Sequence, residues 1–291
     1  MRLVVCFAFV LFCLSAFGQT PEVAIFADLR PTWLVQAGKT DRLRWFDPQG
    51  RYSVIGFHLV LESGNIVKVS QRLEKIDVDG DADSIDEAFI EARGLWRIGK
   101  QYLPIGQQNI LRESVPALRY DTELLFDAIP ISIAASDNVD GYTRGVVARI
   151  GGDLGVTVAL GDHFGIQGSS LTQFRDIEDG PGRHHGYHRA IALDTKYGIG
   201  SGVLEAEWVF LGDGHTATDE DRSLSDLRYR FSTSGTNYSA TIAWSRSWDD
   251  NRDWYRAFIE IPINDKVVWE PFIKFRGLDW QGFGLTAHVR L

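Results

Sequence analysis

The last stretch of the chain, residues 224–291, alternates between apolar and polar side chains with a period of two. Successive side chains of a β-strand point to opposite faces, so this period predicts strands. In one segment, Tyr255, Ala257 and Ile259 alternate with Arg256 and Glu260, and the other segments of the stretch repeat the pattern. One face of each predicted strand is therefore apolar while the other carries full charges, and the two faces need different surroundings.

A soluble β-sandwich also alternates, because one face of each sheet packs on a core and the other meets water. Here, aromatic residues lie near the ends of the apolar rows, and the chain ends on Leu291, in phase with its row. The aromatic residues are Tyr238, Trp244, Trp248, Tyr255, Trp269, Phe275 and Phe283. Such girdles are typical of a barrel that spans a bilayer, with lipid outside and a polar lumen inside. We predict an all-β, transmembrane antiparallel β-barrel of the outer-membrane type, surrounded by outer-membrane lipid. The alternative is a secreted or surface β protein that binds a glycan or a protein partner.

About sixteen candidate strands follow one another, and an even number closes a bacterial single-chain barrel. They span residues 22–36, 52–62, 65–76, 84–93, 95–102, 117–126, 129–136, 142–150, 153–161, 187–198, 202–212, 224–233, 236–247, 253–263, 267–276 and 280–291. The first, sixth and seventh are the least regular, and losing two strands would leave fourteen. Short turns rich in Gly, Asn, Asp or Ser alternate with longer loops. This is expected of an outer-membrane barrel, which has short turns at its periplasmic end and longer loops at its outer end. Pro130, Pro262 and Pro271 fall inside candidate strands and are predicted to lie at bulges or strand ends.

The first residues are typical of a secretory signal peptide, because Arg2 precedes an apolar run and small residues precede Gln19. We predict residues 1–18 as the signal peptide and residues 19–291 as a single barrel domain in the cell outer membrane. Both cysteines, Cys6 and Cys13, fall within the signal, so the mature chain would contain no disulfide and no thiolate metal site. The net charge of -9 argues against nucleic acid as a partner.

Residues 84–94 read SIDEAFIEARG and residues 97–106 read RIGKQYLPIG. Together they resemble the phosphate-selective porin O/P family, in which an acidic-Ala-aromatic strand leads into a Val-Gly-x-x-x-x-Pro-Phe-Gly turn. A loop segment with Arg and Glu then folds into the pore, and Arg112 and Glu113 stand at that position here. Residues 141–161 are similar to the next hairpin of the family. The sequence departs from the family pattern at Ile105, where the family has Phe. The resemblance implies a constriction loop with Gln107, Gln108, Arg112 and Glu113, and a homotrimer.

If the apolar rows face lipid, the complementary rows line the lumen. The candidate pore-lining residues are Arg228, Arg230, Arg256, Lys274, Arg276, Arg290, Glu87, Glu91, Arg93 and Arg97. Charges of opposite sign on different walls create a field across the lumen that sets ion preference. We predict passive diffusion of small hydrophilic solutes, with a leaning towards anions such as phosphate. A closed structural barrel, in which these charges pair and fill the lumen, is the other interpretation of the same rows.

Other patterns carry weaker signals. The carboxylates from Asp77 to Asp83 resemble a calcium loop, but no Glu completes it at the distal position. His184, His185 and His188 lack a further ligand at usable spacing, so we predict no metal site and no cofactor. Neither a nucleophile elbow nor a phosphate-cradling loop nor a His-Glu-x-x-His motif occurs, so we predict that the protein is not an enzyme.

Overall fold

The structure is a computed structural model that describes residues 22–36, 42–47, 51–61, 64–73, 85–92, 94–112, 114–124, 129–136, 144–164, 186–214, 221–232 and 237–291. Several sequence predictions fall outside these residues: the signal peptide, the acidic loop from Asp77 to Asp83, and the side chains of Arg93, Glu113, His184 and His185. No helix among the described residues is long and apolar enough to cross a bilayer.

Strands make up nearly all of the described chain, and every pairing between them is antiparallel. The strands are β1 (Glu22–Leu29), β2 (Thr32–Gln36), β3 (Arg42–Arg44), β4 (Val54–Val60), β5 (Ile66–Arg72), β6 (Ile85–Ala92), β7 (Trp96–Tyr102), β8 (Ser114–Leu124), β9 (Ile129–Ser136), β10 (Arg144–Gly151), β11 (Leu154–Phe164), β12 (Tyr187–Ile199), β13 (Gly202–Gly214), β14 (Arg222–Ser232), β15 (Ser239–Ser247), β16 (Arg252–Pro262), β17 (Val267–Arg276) and β18 (Asp279–Arg290).

The sheet closes on itself because β18 pairs with both β1 and β2 in one register, from Asp28↔Arg290 to Gln36↔Gly282. β1 and β2 are thus two halves of one wall strand that breaks at Arg30 and Pro31, and β3 is a short hairpin partner of β2. With β4 to β18, the described residues form a closed barrel of 16 strands. The predicted fold class is confirmed, and the alternative of fourteen strands is wrong.

The apolar rows lie on the outside of the barrel. Ile242, Ile259 and Trp269 keep 58%, 46% and 47% of their surface exposed, whereas Arg228 and Arg256, on the complementary rows, keep only 5% each. A soluble sandwich would show the reverse, with apolar side chains enclosed and charges outside. The arrangement suits lipid outside and polar groups inside.

The three prolines occupy two kinds of position. Pro130 is the second residue of β9 and Pro262 is the last residue of β16, so the prediction of strand ends is confirmed for both. Pro271 lies in the middle of β17, where that prediction is wrong. Pairing with β16 runs to Phe258↔Phe272 and resumes at Ile261↔Trp269 in the same register, so the ladder has a gap rather than a bulge. The gap arises because proline has no N–H to donate.

Candidate functional site

The segment between β7 and β8, residues 103–112, folds into the barrel. Leu103, Ile105, Ile110 and Leu111 are all fully or almost fully buried. They join one apolar cluster with side chains from the inner wall, among them Val147, Ala159, Ala190, Ala192, Val209, Leu211 and Leu224. Burying a Leu or Ile side chain contributes about 1.5–3 kcal/mol, so the four side chains hold the segment firmly against β10 to β14. We call residues 103–112 the inner segment.

Two polar contacts fix the position of the inner segment on the wall. The Gly106 N–H donates to Thr157 Oγ1 at 3.1 Å, and the Asn109 N–H donates to Glu207 Oε2 at 2.8 Å. Gly106 has a φ of 50°, and a Cβ at this position would overlap the Glu207 carboxylate. Glycine adopts this φ without strain and leaves room for the Glu207 side chain, so it favours the close approach of the segment to β13.

Part of the first long connection also turns inward, which the sequence pattern does not predict. Arg30, at the break between β1 and β2, donates from Nη1 to Asp47 Oδ2 at 2.6 Å, and its N–H donates to Ser53 Oγ. The Arg51 N–H donates to the other oxygen of Asp47 at 2.9 Å. The described residues of this connection, 45–47 and 51–53, thus lie against the inner wall near the closure of the barrel, and we call them the first inner turn.

A column of aromatic rings and guanidinium groups links the two infolded parts. The Arg72 guanidinium lies over the Tyr52 ring at 4.4 Å and donates to Asp86 at 2.8 Å. Tyr102 donates from its hydroxyl to the same Asp86 oxygen, and the Arg112 guanidinium lies over the Tyr102 ring at 4.3 Å. Asp86 therefore connects the first inner turn to the inner segment, and guanidinium–ring contacts strengthen each end of the column.

Arg228 and Arg256, two predicted pore-lining residues, come together on one carboxylate. Arg228 Nε donates to Asp226 Oδ1, and Arg256 Nη2 donates to Asp226 Oδ2 at 2.9 Å and to Ser245 Oγ at 2.8 Å. Ser245 in turn donates to Asp226 at 2.6 Å. All four side chains are almost completely buried. A buried pair of cations requires such charge-assisted hydrogen bonds, because desolvation of each ion costs several kcal/mol.

The remaining candidates are spread over two walls. Arg230 pairs with Glu260 at 3.3 Å near the turn after β14, and Lys274 lies opposite Arg256 in the β16–β17 register. Glu91 pairs with Arg97 on the far wall. Glu87 pairs with Lys68 on the same wall, Arg290 donates to His288 at 3.2 Å, and Arg276 lies opposite Trp254. The structure thus places carboxylates between the predicted basic residues rather than leaving a purely basic row.

Arg51, in the first inner turn, lies among charged groups of both signs, including the carboxylates of Asp47 and Glu270. Burial lowers the pKa of Arg51, the neighbouring cations Arg30, Arg228 and Arg112 lower it further, and Asp47 raises it. These groups therefore share one region of the interior. Among the described residues no group of three or more potential ligands could hold a metal ion, and His188 contacts Asp162 at 3.2 Å.

No family model matches the sequence, and no curated protein matches it. Solved structures match over nearly the whole chain. OmpF of Salmonella typhi in complex with daunomycin superposes with a TM-score of 0.61 at 11% identity, over 93% of this chain and 98% of that one. OmpT of Vibrio cholerae in its trimer form gives 0.59 at 11% identity, over 94% and 100%. An anion-selective porin from Comamonas acidovorans gives 0.58 at 10% identity, over 93% and 99%.

The chain has the fold of the outer-membrane porins. Within this porin fold, the alternation of residues predicts the inward rows but not the groups that connect them. Arg30, Asp47 and Asp86, which anchor the infolded parts, carry no such signal in the sequence. The apolar residues Ile105, Ile110 and Leu111 within a long connection were a usable signal, because an ordinary surface loop would expose them to water.

Proposed function

We propose that the protein is an outer-membrane porin through which small hydrophilic solutes diffuse passively. The observation that carries this proposal is the inner segment, which is pinned by apolar and polar contacts inside a barrel whose outer face is apolar and whose inner rows are charged. A narrow, polar lumen attracts solutes strongly enough to admit them and weakly enough to release them. The protein acts without a cofactor and is not an enzyme.

We further propose a preference for anions such as phosphate. The resemblance to the phosphate-selective porin O/P family supports it, as does the group of Arg30, Arg51, Arg112, Arg228 and Arg256 in one region of the interior. One structural neighbour is itself described as an anion-selective porin. A homotrimer is part of the same proposal, supported by the resemblance and by a neighbour described as a trimer form.

The closed structural barrel is the competing function. Arg228 and Arg256 are 5% exposed, and the described interior contains many paired charges, including Arg149–Asp194 and Arg119–Asp121. Side chains packed this closely leave either a narrow lumen or a lumen that is blocked. Conductance separates the two functions, because a filled barrel has the same fold and the same extraction behaviour in detergent but passes no ions.

In a planar bilayer under a potassium chloride gradient, we expect the reversal potential of the wild-type channel to have the sign that indicates anion selectivity. The Arg230→Ala variant should shift the reversal potential towards cation selectivity, because it removes a half-exposed charge from the inner row. Lys266→Ala, in the exposed turn between β16 and β17, is the control and should leave the reversal potential unchanged. A cation-selective current insensitive to Arg230→Ala would refute the anion preference, and a silent barrel would refute the channel.

Contact between the outer face and lipid has its own test. Replacing Ile242 by Arg should destabilise the barrel refolded in lipid vesicles by about 2–4 kcal/mol, the cost of a cation near the bilayer midplane. Tyr238→Arg, on the same face but at the strand end, should cost only about 0–1 kcal/mol. Urea titrations of the refolded variants give both values. Equal and small effects would indicate that water, rather than lipid, covers this face.

A further inference from the structure

The pairing of β5 with β6 changes register at Asp86. Ser70 of β5 pairs with Glu87 of β6, whereas the next residue of β5, Gln71, pairs with Ile85. Asp86 is therefore the extra residue of a β-bulge, left without a partner on β5. Bulges redirect side chains and are frequent beside functional sites. The position of Asp86 in the strand thus deserves a physical explanation from its contacts.

The bulge turns two consecutive carboxylates to one face of β5. Asp86 accepts a hydrogen bond from Arg72 Nε at 2.8 Å, and Glu87 forms an ion pair with Lys68. Lys68 and Arg72 are four residues apart on β5, so both point to the same face, which is the inward one. In a regular strand consecutive side chains point to opposite faces, and Asp86 would then face the outside of the barrel. The bulge buries its carboxylate instead.

Asp86 is bonded to both ends of the inner segment. Tyr102 directly precedes the segment, Ser114 begins β8 after it, and these two residues are paired in the β7–β8 register. The Tyr102 hydroxyl donates to Asp86 Oδ1, and Ser114 Oγ donates to the backbone carbonyl of Asp86. One residue therefore holds both the point where the chain leaves the wall and the point where it returns.

The same residue is connected to the first inner turn through Arg72. The Arg72 guanidinium lies over the Tyr52 ring at 4.4 Å, and the N–H of the next residue, Leu73, donates to the Ser53 carbonyl at 3.0 Å. The Arg72 and Asp86 side chains keep only 9% and 6% of their surface exposed. Because water hardly reaches this ion pair, removing the carboxylate would leave a buried guanidinium without its counter-charge.

We propose that Asp86 is a positioning residue that clamps the inner segment and couples its position to that of the first inner turn. Its side chain and its carbonyl fix the two ends of the segment, so the apolar residues of the segment meet the wall at one place. Coupling is reciprocal, so a change at either infolded part is transmitted to the other through Asp86. The effect of the clamp on solute passage rests on the proposed porin function. The clamp itself depends only on the folded barrel.

The test is amide hydrogen exchange of the protein refolded in detergent micelles, measured by peptide mass spectrometry. We expect Asp86→Ala to accelerate exchange in the inner segment and in the first inner turn by roughly tenfold or more, since hydrogen bonds to a buried charge are lost. Exchange in β12 to β18 should keep the wild-type rate, because the bonds of Asp86 go to β5, β7 and β8. A general loss of stability would accelerate exchange in those strands as well.

Glu87→Ala is the matched control. It removes the neighbouring buried carboxylate, whose partner is Lys68, and should leave exchange in both infolded parts at the wild-type rate. Tyr102→Phe is the milder variant, because it removes only the hydroxyl that donates to Asp86 and keeps the ring beneath Arg112. It should accelerate exchange in both infolded parts, but less than Asp86→Ala does. Folding of each variant is checked by its migration in gel electrophoresis before and after boiling.

If Asp86→Ala does not fold, Tyr102→Phe alone decides the proposal. Wild-type exchange rates in both infolded parts of the folded variants, or equal acceleration by Glu87→Ala, overturn the clamp. In a planar bilayer, the single-channel current of Asp86→Ala should fluctuate more than that of wild type, and an equally steady current would refute a role of the clamp in passage. A wild-type barrel that passes no current, while Asp86→Ala shows the local acceleration, refutes the porin function and leaves the clamp standing.

Discussion

Replacing Asp226 by Ala is expected to lower the free energy of unfolding of the barrel by about 3–5 kcal/mol, the range for breaking a buried ion pair from one side. Arg228 and Arg256 both donate to this carboxylate, and each keeps 5% of its surface exposed. Without Asp226, two buried guanidinium groups lose their shared counter-charge. Urea titration of the protein refolded in lipid vesicles measures the change.

Glu260→Ala is the matched control for Asp226→Ala. Glu260 pairs with Arg230 on the same wall, but the Arg230 side chain is 53% exposed and the two groups are 3.3 Å apart. Water solvates both groups, so the loss should stay within about 1 kcal/mol. If the two substitutions destabilised the barrel equally, burial of the Asp226 cluster would not be the source of its stability.

The walls of the barrel could be predicted because each strand carries its own signal. Alternation of residues such as Ile259 with Arg256 and Glu260 determines both that the segment is a strand and which of its faces points outward. The candidate ranges agree with the observed strands to within a few residues. The break at Arg30 and Pro31 was not predicted, because the apolar pattern continues across it.

The interior could be predicted only in part, since a period of two specifies a face but not a partner. The period of two places Arg228 and Arg256 in the lumen. That both donate hydrogen bonds to Asp226 depends on the register of three adjacent strands, β14 to β16. Inward folding of the inner segment was expected from a family resemblance. The inward course of the first inner turn depends on contacts from Asp47 to Arg30, which no local pattern encodes.

Opening of the lumen is the expected result of replacing Ile105 and Ile110 together by Asp. Both side chains are completely buried against the inner wall. Burying two unpaired carboxylates there would cost several kcal/mol each, which exceeds the roughly 1.5–3 kcal/mol that Leu103 and Leu111 each contribute to the attachment of the inner segment. The segment should therefore leave the wall, and single-channel conductance in a planar bilayer should rise severalfold.

Gln107→Asp with Gln108→Asp is the control for this double variant, because it adds the same two charges to the same segment at partly exposed positions. These side chains lie outside the apolar cluster, so the segment should stay attached through Ile105 and Ile110, and conductance should change little. If both pairs of substitutions raised conductance equally, charge rather than detachment would explain the effect. If the Ile105 and Ile110 variant folded and conducted like wild type, the inner segment would not limit passage.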